Sequence, residues 1–174
     1  MADQVFRAGL FDGQTAIVTG GANGIGLAMG RRRPEPLAEA AASLEAEGIT
    51  AHHGTADIRD PDSIAPYLEG VKEAFGRVDI LVNNAGGQFP SPAQHISPKG
   101  FAAVVKNNLL GTFNFTHAVA NTFLIPQRRG RIVNVIAQVA RGFPGMAHTG
   151  AARAGVDNLT KSLAVEWAQF GVRV

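Results

Sequence analysis

The chain has 174 residues, 45% of them hydrophobic, a formal net charge of +2 and no cysteine. That length fits one domain of about 100–200 residues with a proper core, and no apolar run is long enough to span a bilayer. Disulfide scaffolds, thiolate metal sites and cysteine nucleophiles are excluded, and residues 1–10 lack the basic-then-apolar order of a signal peptide, so a cytoplasmic location is expected.

The first expected element is an apolar strand, Thr15-Ala16-Ile17-Val18, which leads into Thr19-Gly20-Gly21-Ala22-Asn23-Gly24-Ile25-Gly26. Glycines there let the backbone turn tightly and approach a pyrophosphate, and the following helix offers unpaired N–H groups to the anion. A plain glycine-rich loop is the alternative, since short motifs also match by chance. A short helical start over 24–29, a helix over 34–47 closed by Gly48, and a strand over 49–53 come next. Asp60 and Pro61 form an N-cap and first-turn pair for a helix ending at Gly76, which Pro66 is expected to kink.

Asp79-Ile80-Leu81-Val82 reads as a buried strand running into Asn83-Asn84-Ala85-Gly86. A long loop then reaches Ser97 and Pro98, which cap a helix over 98–122. Its expected buried stripe is Phe101, Val104, Val105, Leu109, Thr112, Phe113 and Thr116, with Asn108 on the same side. A buried amide needs partners, so Asn108 is either a satisfied structural group or one that holds water near the chemistry. A strand over 131–136, a helix over 151–170 and the start of a strand at Val172-Arg173-Val174 complete the pattern.

Strands alternating with helices imply parallel pairing, hence an α/β doubly wound sheet with ligands at the carboxyl ends of its strands. The glycine turn, Asp57 with Ile58, and Asn84-Ala85-Gly86 all lie at such ends and converge on one crevice. Singly, Asp57 reads equally well as a turn residue and Asn84-Ala85-Gly86 as a strand exit. The small net charge, with basic clusters only at Arg31-Arg32-Arg33 and Arg128-Arg129, argues against a nucleic-acid partner.

In order along nearly the whole chain, residues 19–26, Asp57, Asn83-Asn84-Ala85-Gly86, Asn108-Leu109-Leu110-Gly111-Thr112-Phe113 and residues 159–167 resemble the short-chain dehydrogenase/reductase family. Within it, Gly87-Gln88-Phe89, Ser91-Pro92-Ala93, His95-Ile96-Ser97 and residues 150–156 are most similar to peroxisomal-type trans-2-enoyl-CoA reductases, with 2,4-dienoyl-CoA reductases next. The resemblance implies a Rossmann-type domain over 1–174, a nicotinamide cofactor held by Gly20, Asn23, Gly24, Ile25, Gly26, Asp57, Ile58, Asn84, Ala85 and Gly86, and a homo-oligomer, a dimer or tetramer. It further implies an NADP-linked reductase of small-molecule acyl thioesters. Arg32 and Arg33 occupy the stretch that selects the cofactor, where basic side chains suit a 2′-phosphate and so favour NADP over NAD. A solvated basic turn is the competing reading.

The family's catalytic tyrosine, four residues before a lysine, is replaced here by Thr149 and Arg153, and its serine position falls near Ile136-Ala137. Threonine is too weak an acid to protonate a ketone oxygen, whereas an enoyl thioester leaves an enolate that needs only hydrogen-bond donors. Thr149 is therefore expected to donate to the thioester oxygen, Arg153 to hold the cofactor ribose, and Asn108 to order a water, while His148 beside them is more simply read as structural. Two rivals stay open: a ketone or alcohol dehydrogenase whose proton comes from His148 or water, and a catalytically silent nucleotide-binding or interaction protein. No metal is expected. Between Gly26 and Arg32 there is no room for both a helix and a second strand, about fifteen residues by usual element lengths. The expectation is thus of one domain, incomplete at the second strand and after the sixth, belonging to a longer chain.

Overall fold

The computed structural model describes residues 9–21 and 35–174. Its elements are β1 (Ala16–Val18), α1 (Glu35–Ala46), α2 (Pro61–Phe75), β2 (Ile80–Asn83), α3 (Pro98–Val105), α4 (Gly111–Val119), β3 (Gly130–Asn134), α5 (Ala147–Trp167) and β4 (Val172–Arg173). The strands form one parallel sheet in the order β1-β2-β3-β4, with Ile17 opposite Leu81, Leu81 opposite Ile132, and Arg131 opposite Arg173. This is the parallel-sheet Rossmann-like α/β fold the alternating pattern requires.

Local chemistry sets the helix ends. The Asp60 side chain accepts the Asp62 N–H at the start of α2, and Gly76 closes it in a left-handed conformation (φ 70°), its N–H reaching the Lys72 carbonyl. Helix α2 continues through Pro66. Ser97 caps α3 by accepting the Gly100 N–H. Ile64, Leu68 and Val71 of α2 meet Phe115, Val119 and Phe123 of the α4 region over Ile17, Leu81 and Ile132 of the sheet. Burying each such side chain contributes about 1.5–3 kcal/mol. Tyr67 joins this layer against Phe115, ring centroids 5.9 Å apart, and burial pushes its phenol up to about 12. The opposite sheet face is more open, with Val133 half-exposed.

Three expectations change. Residues 49–53 form no strand: Ile49 is exposed, and among the described residues no neighbouring strand takes up their backbone groups. Helix α5 begins at Ala147 rather than 151, which draws His148 and Thr149 into its first turn. The helix over 98–122 is present but carries two π turns, Lys106–Leu110 and Ala120–Leu124. An extra residue in a turn rotates the following face by about 100°. Phe113 consequently lies partly exposed, as Phe101 does ahead of the first π turn, while Phe115, Val119 and Phe123 join Val104, Asn108, Thr112 and Thr116 on the buried side. Asn23, Gly24, Ile25, Gly26, Arg32 and Arg33, and the short interval before Arg32, lie outside the described residues.

Candidate active site

At the carboxyl edge of the sheet, Thr19 joins the first and second strand exits. Its backbone N–H donates to the Val82 carbonyl (2.9 Å), and its Oγ1 accepts the N–H groups of Asn84 (3.1 Å) and Ala85 (3.0 Å). Asn84 returns the contact, its amide donating to the carbonyls of Thr19 (3.2 Å) and Gly20 (3.3 Å). Gly20 holds φ +71°, and a Cβ there would lie 2.9 Å from the Ala85 Cα, so only glycine fits this close approach without strain. Gly20, Asn84 and Ala85 are thereby brought together as anticipated. The role of Thr19 is longer-range than its motif discloses.

Asp57 and Ile58 stand on the other side of the β1 exit. Asp57 accepts a bidentate pair from Arg59 (Nη2 to Oδ2 2.6 Å, Nε to Oδ1 2.9 Å), which raises the Arg59 guanidinium above its ordinary range. The Asp57 backbone N–H donates to Ser63 Oγ (2.9 Å), fixing this loop to the start of α2. Ile58 lines a small crevice together with Val18, Thr19, Gly54, Ala56 and Tyr67, and its carbonyl accepts the Asn114 amide (3.1 Å). Asp57 and Ile58 therefore border the same edge as Thr19.

Asn108 is fully buried in the first π turn. Its amide donates to the carbonyls of Gly87 (2.7 Å) and Val104 (2.9 Å), and its Oδ1 accepts the Gly87 N–H (3.3 Å). Both amide hydrogens are spent on protein, so the side chain clamps the loop after β2 to the helix. The Asn108 carbonyl accepts the Thr112 hydroxyl (2.8 Å).

Arg153 enters from α5, one turn after Thr149, and is 8% exposed. One guanidinium nitrogen donates to the Val135 carbonyl (3.0 Å), and no carboxylate pairs with it among the described residues. Burial pulls this guanidinium below its usual range. A methyl group on Gly86 would overlap Arg153 Nη2 and lie 2.7 Å from Asn108 Oδ1, so the glycine makes room for the cation. A buried cation without a counter-charge is costly and gains from an anionic or hydroxyl-rich ligand. The glycine-only close approach of the β1 and β2 exits at Gly20 and the Arg153 cation together fit a nicotinamide dinucleotide, whose ribose hydroxyls and phosphates would complement that cation.

Thr149 and His148 are both buried. The Thr149 N–H donates to the His148 Nδ1 (2.9 Å) as well as to the Met146 carbonyl (2.9 Å), and the Thr149 hydroxyl lies 3.4 Å from the same Nδ1. His148 packs perpendicular to Phe89 (centroids 4.5 Å) and near Phe101 (6.5 Å), and its Nε2 has no hydrogen-bond partner among the described residues. An unpaired buried donor costs about 1–3 kcal/mol. The sequence reads His148 as structural or solvated; the structure buries it in the first turn of α5.

Behind the site, Asn83 donates to Thr116 Oγ1 (2.7 Å) and Asn134 Oδ1 (2.8 Å), Asn134 to Thr160 Oγ1 (2.8 Å), and Thr160 to the Val156 carbonyl (2.8 Å). This buried ladder crosses from α4 through β2 and β3 to α5. No cluster of potential metal ligands occurs among the described residues, and no described helix is long and apolar enough to cross a membrane.

The short chain dehydrogenase family model matches residues 14–174. A probable 2,4-dienoyl-CoA reductase of Bacillus subtilis is 35% identical over 92% of this chain and 69% of its own length. Gluconate 5-dehydrogenase of Gluconobacter oxydans is 33% identical (93% and 68%), and the peroxisomal 2,4-dienoyl-CoA reductase of Danio rerio 34% identical (98% and 61%). The chain thus spans about three fifths to two thirds of the length of these relatives. The solved citronellol catabolism dehydrogenase of Pseudomonas aeruginosa superposes with a TM-score of 0.92 at 39% identity, covering 99% of this chain and 76% of that one. A Burkholderia cenocepacia gluconate 5-dehydrogenase in complex with NADP (TM-score 0.86, 31% identity, 92% and 68%) and an NAD+-bound xylitol dehydrogenase (0.90, 30%, 95% and 69%) are also similar, so both forms of the cofactor occur among the neighbours. With its glycine turn, its Asn83-Asn84-Ala85-Gly86 strand exit and the family model matched from residue 14 onward, the chain belongs to the short-chain dehydrogenase family of oxidoreductases.

Proposed function

We propose that this chain is the dinucleotide-binding and catalytic portion of an NADP-linked reductase of enoyl-CoA or related acyl thioesters. The observation that carries the reading is Arg153: a buried, carboxylate-free cation placed where the family has lysine, one turn from a threonine that replaces its tyrosine. When bound, the dinucleotide supplies a hydride for the substrate β carbon and is oxidised. The chain's own contribution is a cation near the ribose and the developing enolate, and hydrogen-bond donors at the first turn of α5. A ketone would instead need a proton at oxygen, which no phenol at this turn supplies. The names of the dienoyl-CoA reductase relatives agree with acyl thioester chemistry. Preference for NADP rests on Arg32 and Arg33 in the sequence.

Cytoplasmic location and a homo-oligomer belong to the same reading. The second is supported by exposed Leu110, Phe113 and Val165 on the outer faces of the long helices. Fluorescence titration with NADPH and NADH, followed by turnover assays on trans-2-enoyl-CoA and ketone substrates, tests the proposal. NADPH should bind more tightly by about tenfold, the effect of one charge-assisted pair, and enoyl-CoA should be reduced. Binding without turnover of either substrate class would favour a silent nucleotide-binding protein, and uptake of neither coenzyme would reject the reductase reading.

A further inference from the structure

We infer that His148 supplies the hydrogen bond to the substrate's acyl oxygen, an assignment that rests on the reductase reading and adds to it a specific atom. The Thr149 N–H points at Nδ1 across 2.9 Å, and a backbone N–H can only donate. Nδ1 therefore presents its lone pair, and the proton of the ring lies on Nε2. The Thr149 hydroxyl lies 3.4 Å from the same Nδ1. The result is an Nε2–H that is fully buried and has no oxygen or nitrogen partner among the described residues.

A dry, preoriented, neutral donor is what an oxygen gaining negative charge requires, and an imidazole can fill that role without surrendering its proton. The assignment requires Phe89, whose ring packs edge-on against His148, to move aside when substrate binds. Phe89 is 41% exposed and lies on a loop pinned on either side, at Gly87 by Asn108 and at Ser91 by the Gly145 carbonyl (2.7 Å). A rotation of its side chain would leave those anchors in place. As the β carbon gains its new C–H bond, the electron pair of the C=C moves toward the acyl oxygen. Nε2–H hydrogen-bonds that oxygen, and the α carbon takes its proton from water. The donor role that position alone gives Thr149 passes to its neighbour, and Thr149 becomes a positioning residue.

Two measurements on the full chain test this. In 15N spectra the proton of His148 should sit on Nε2, and the Nε2–H signal should shift when unreactive hexanoyl-CoA is added; a proton on Nδ1, or no shift at saturation, overturns the inference. In steady-state assays with NADPH and trans-2-hexenoyl-CoA, His148→Phe keeps the ring shape and removes the donor, and kcat should fall about 100-fold with coenzyme affinity unchanged. His148→Gln restores a donor and should recover activity to within about tenfold of the native enzyme. An active native enzyme whose His148→Phe variant stays within about threefold overturns His148 alone, as does equal loss in both variants. A native chain that binds coenzyme but reduces no acyl thioester overturns the reductase reading and this assignment with it.

Discussion

Arg153 and Gly86 act as a pair at the level of single residues. The guanidinium occupies space that any side chain at 86 would fill, and among the described residues its charge has only a backbone carbonyl for company. Arg153→Met should therefore relieve a desolvated cation, leaving thermal stability unchanged or slightly raised while weakening coenzyme binding by about tenfold to a hundredfold, measured by titration. Gly86→Ala should weaken binding in the same direction, because Arg153 Nη2 and Asn108 Oδ1 must both move. Thr149→Val removes a hydroxyl but leaves the backbone N–H that orients His148, so kcat should stay within about tenfold of native, a value steady-state kinetics will give. None of this was visible in the residue types alone. Thr149 and Arg153 stood out as departures from a family pattern, but the direction of the Thr149 amide is set only once α5 begins at Ala147.

Elements whose signals are local were legible in the sequence. Asp60, Gly76 and Ser97 cap their helices through bonds spanning a few residues, and the expected and observed boundaries agree there. The strand expected over 49–53 is not formed, because residue types say nothing about whether a partner strand lies alongside. The buried stripe of the long helix lost its phase at Lys106–Leu110, where the turn widens around Asn108. That widening is fixed by tertiary bonds to Gly87, invisible to a periodicity count. Asn108→Ala should release the Gly87 backbone and cost about 1–3 kcal/mol in urea unfolding. Thr19→Val, which strands the N–H groups of Asn84 and Ala85, should cost a similar amount, about 1–3 kcal/mol, and also loosen coenzyme binding.

Across the molecule, the sheet's other end depends on charge. Asp79 is buried beside β2, accepts the Thr15 N–H (3.1 Å) and Arg77 Nε (3.0 Å), and lies 3.3 Å from Arg129. Burial works to raise its carboxyl, but the Arg77 hydrogen bonds, the Thr15 amide and the two guanidinium charges outweigh it and hold the group below its ordinary range. A carboxylate depressed in the folded state contributes stability that is present above the unfolded value of about 3.9 and is lost as pH falls through the lower folded value. Thermal unfolding should thus show a loss below about pH 4 that Asp79→Asn abolishes, at a cost of about 1.5–3 kcal/mol at neutral pH.

The run of amides and hydroxyls from Thr116 through Asn83 and Asn134 to Thr160 acts as an alignment key. Sliding β3 along β2 by a single step would turn Asn134 to the opposite side of the pleat and take from Asn83 and Thr160 the partner they share. Misaligned pairings of these strands are therefore penalised during assembly, and the spacing between the two strand exits, from which Asn84 and Val135 emerge, is set before any ligand arrives.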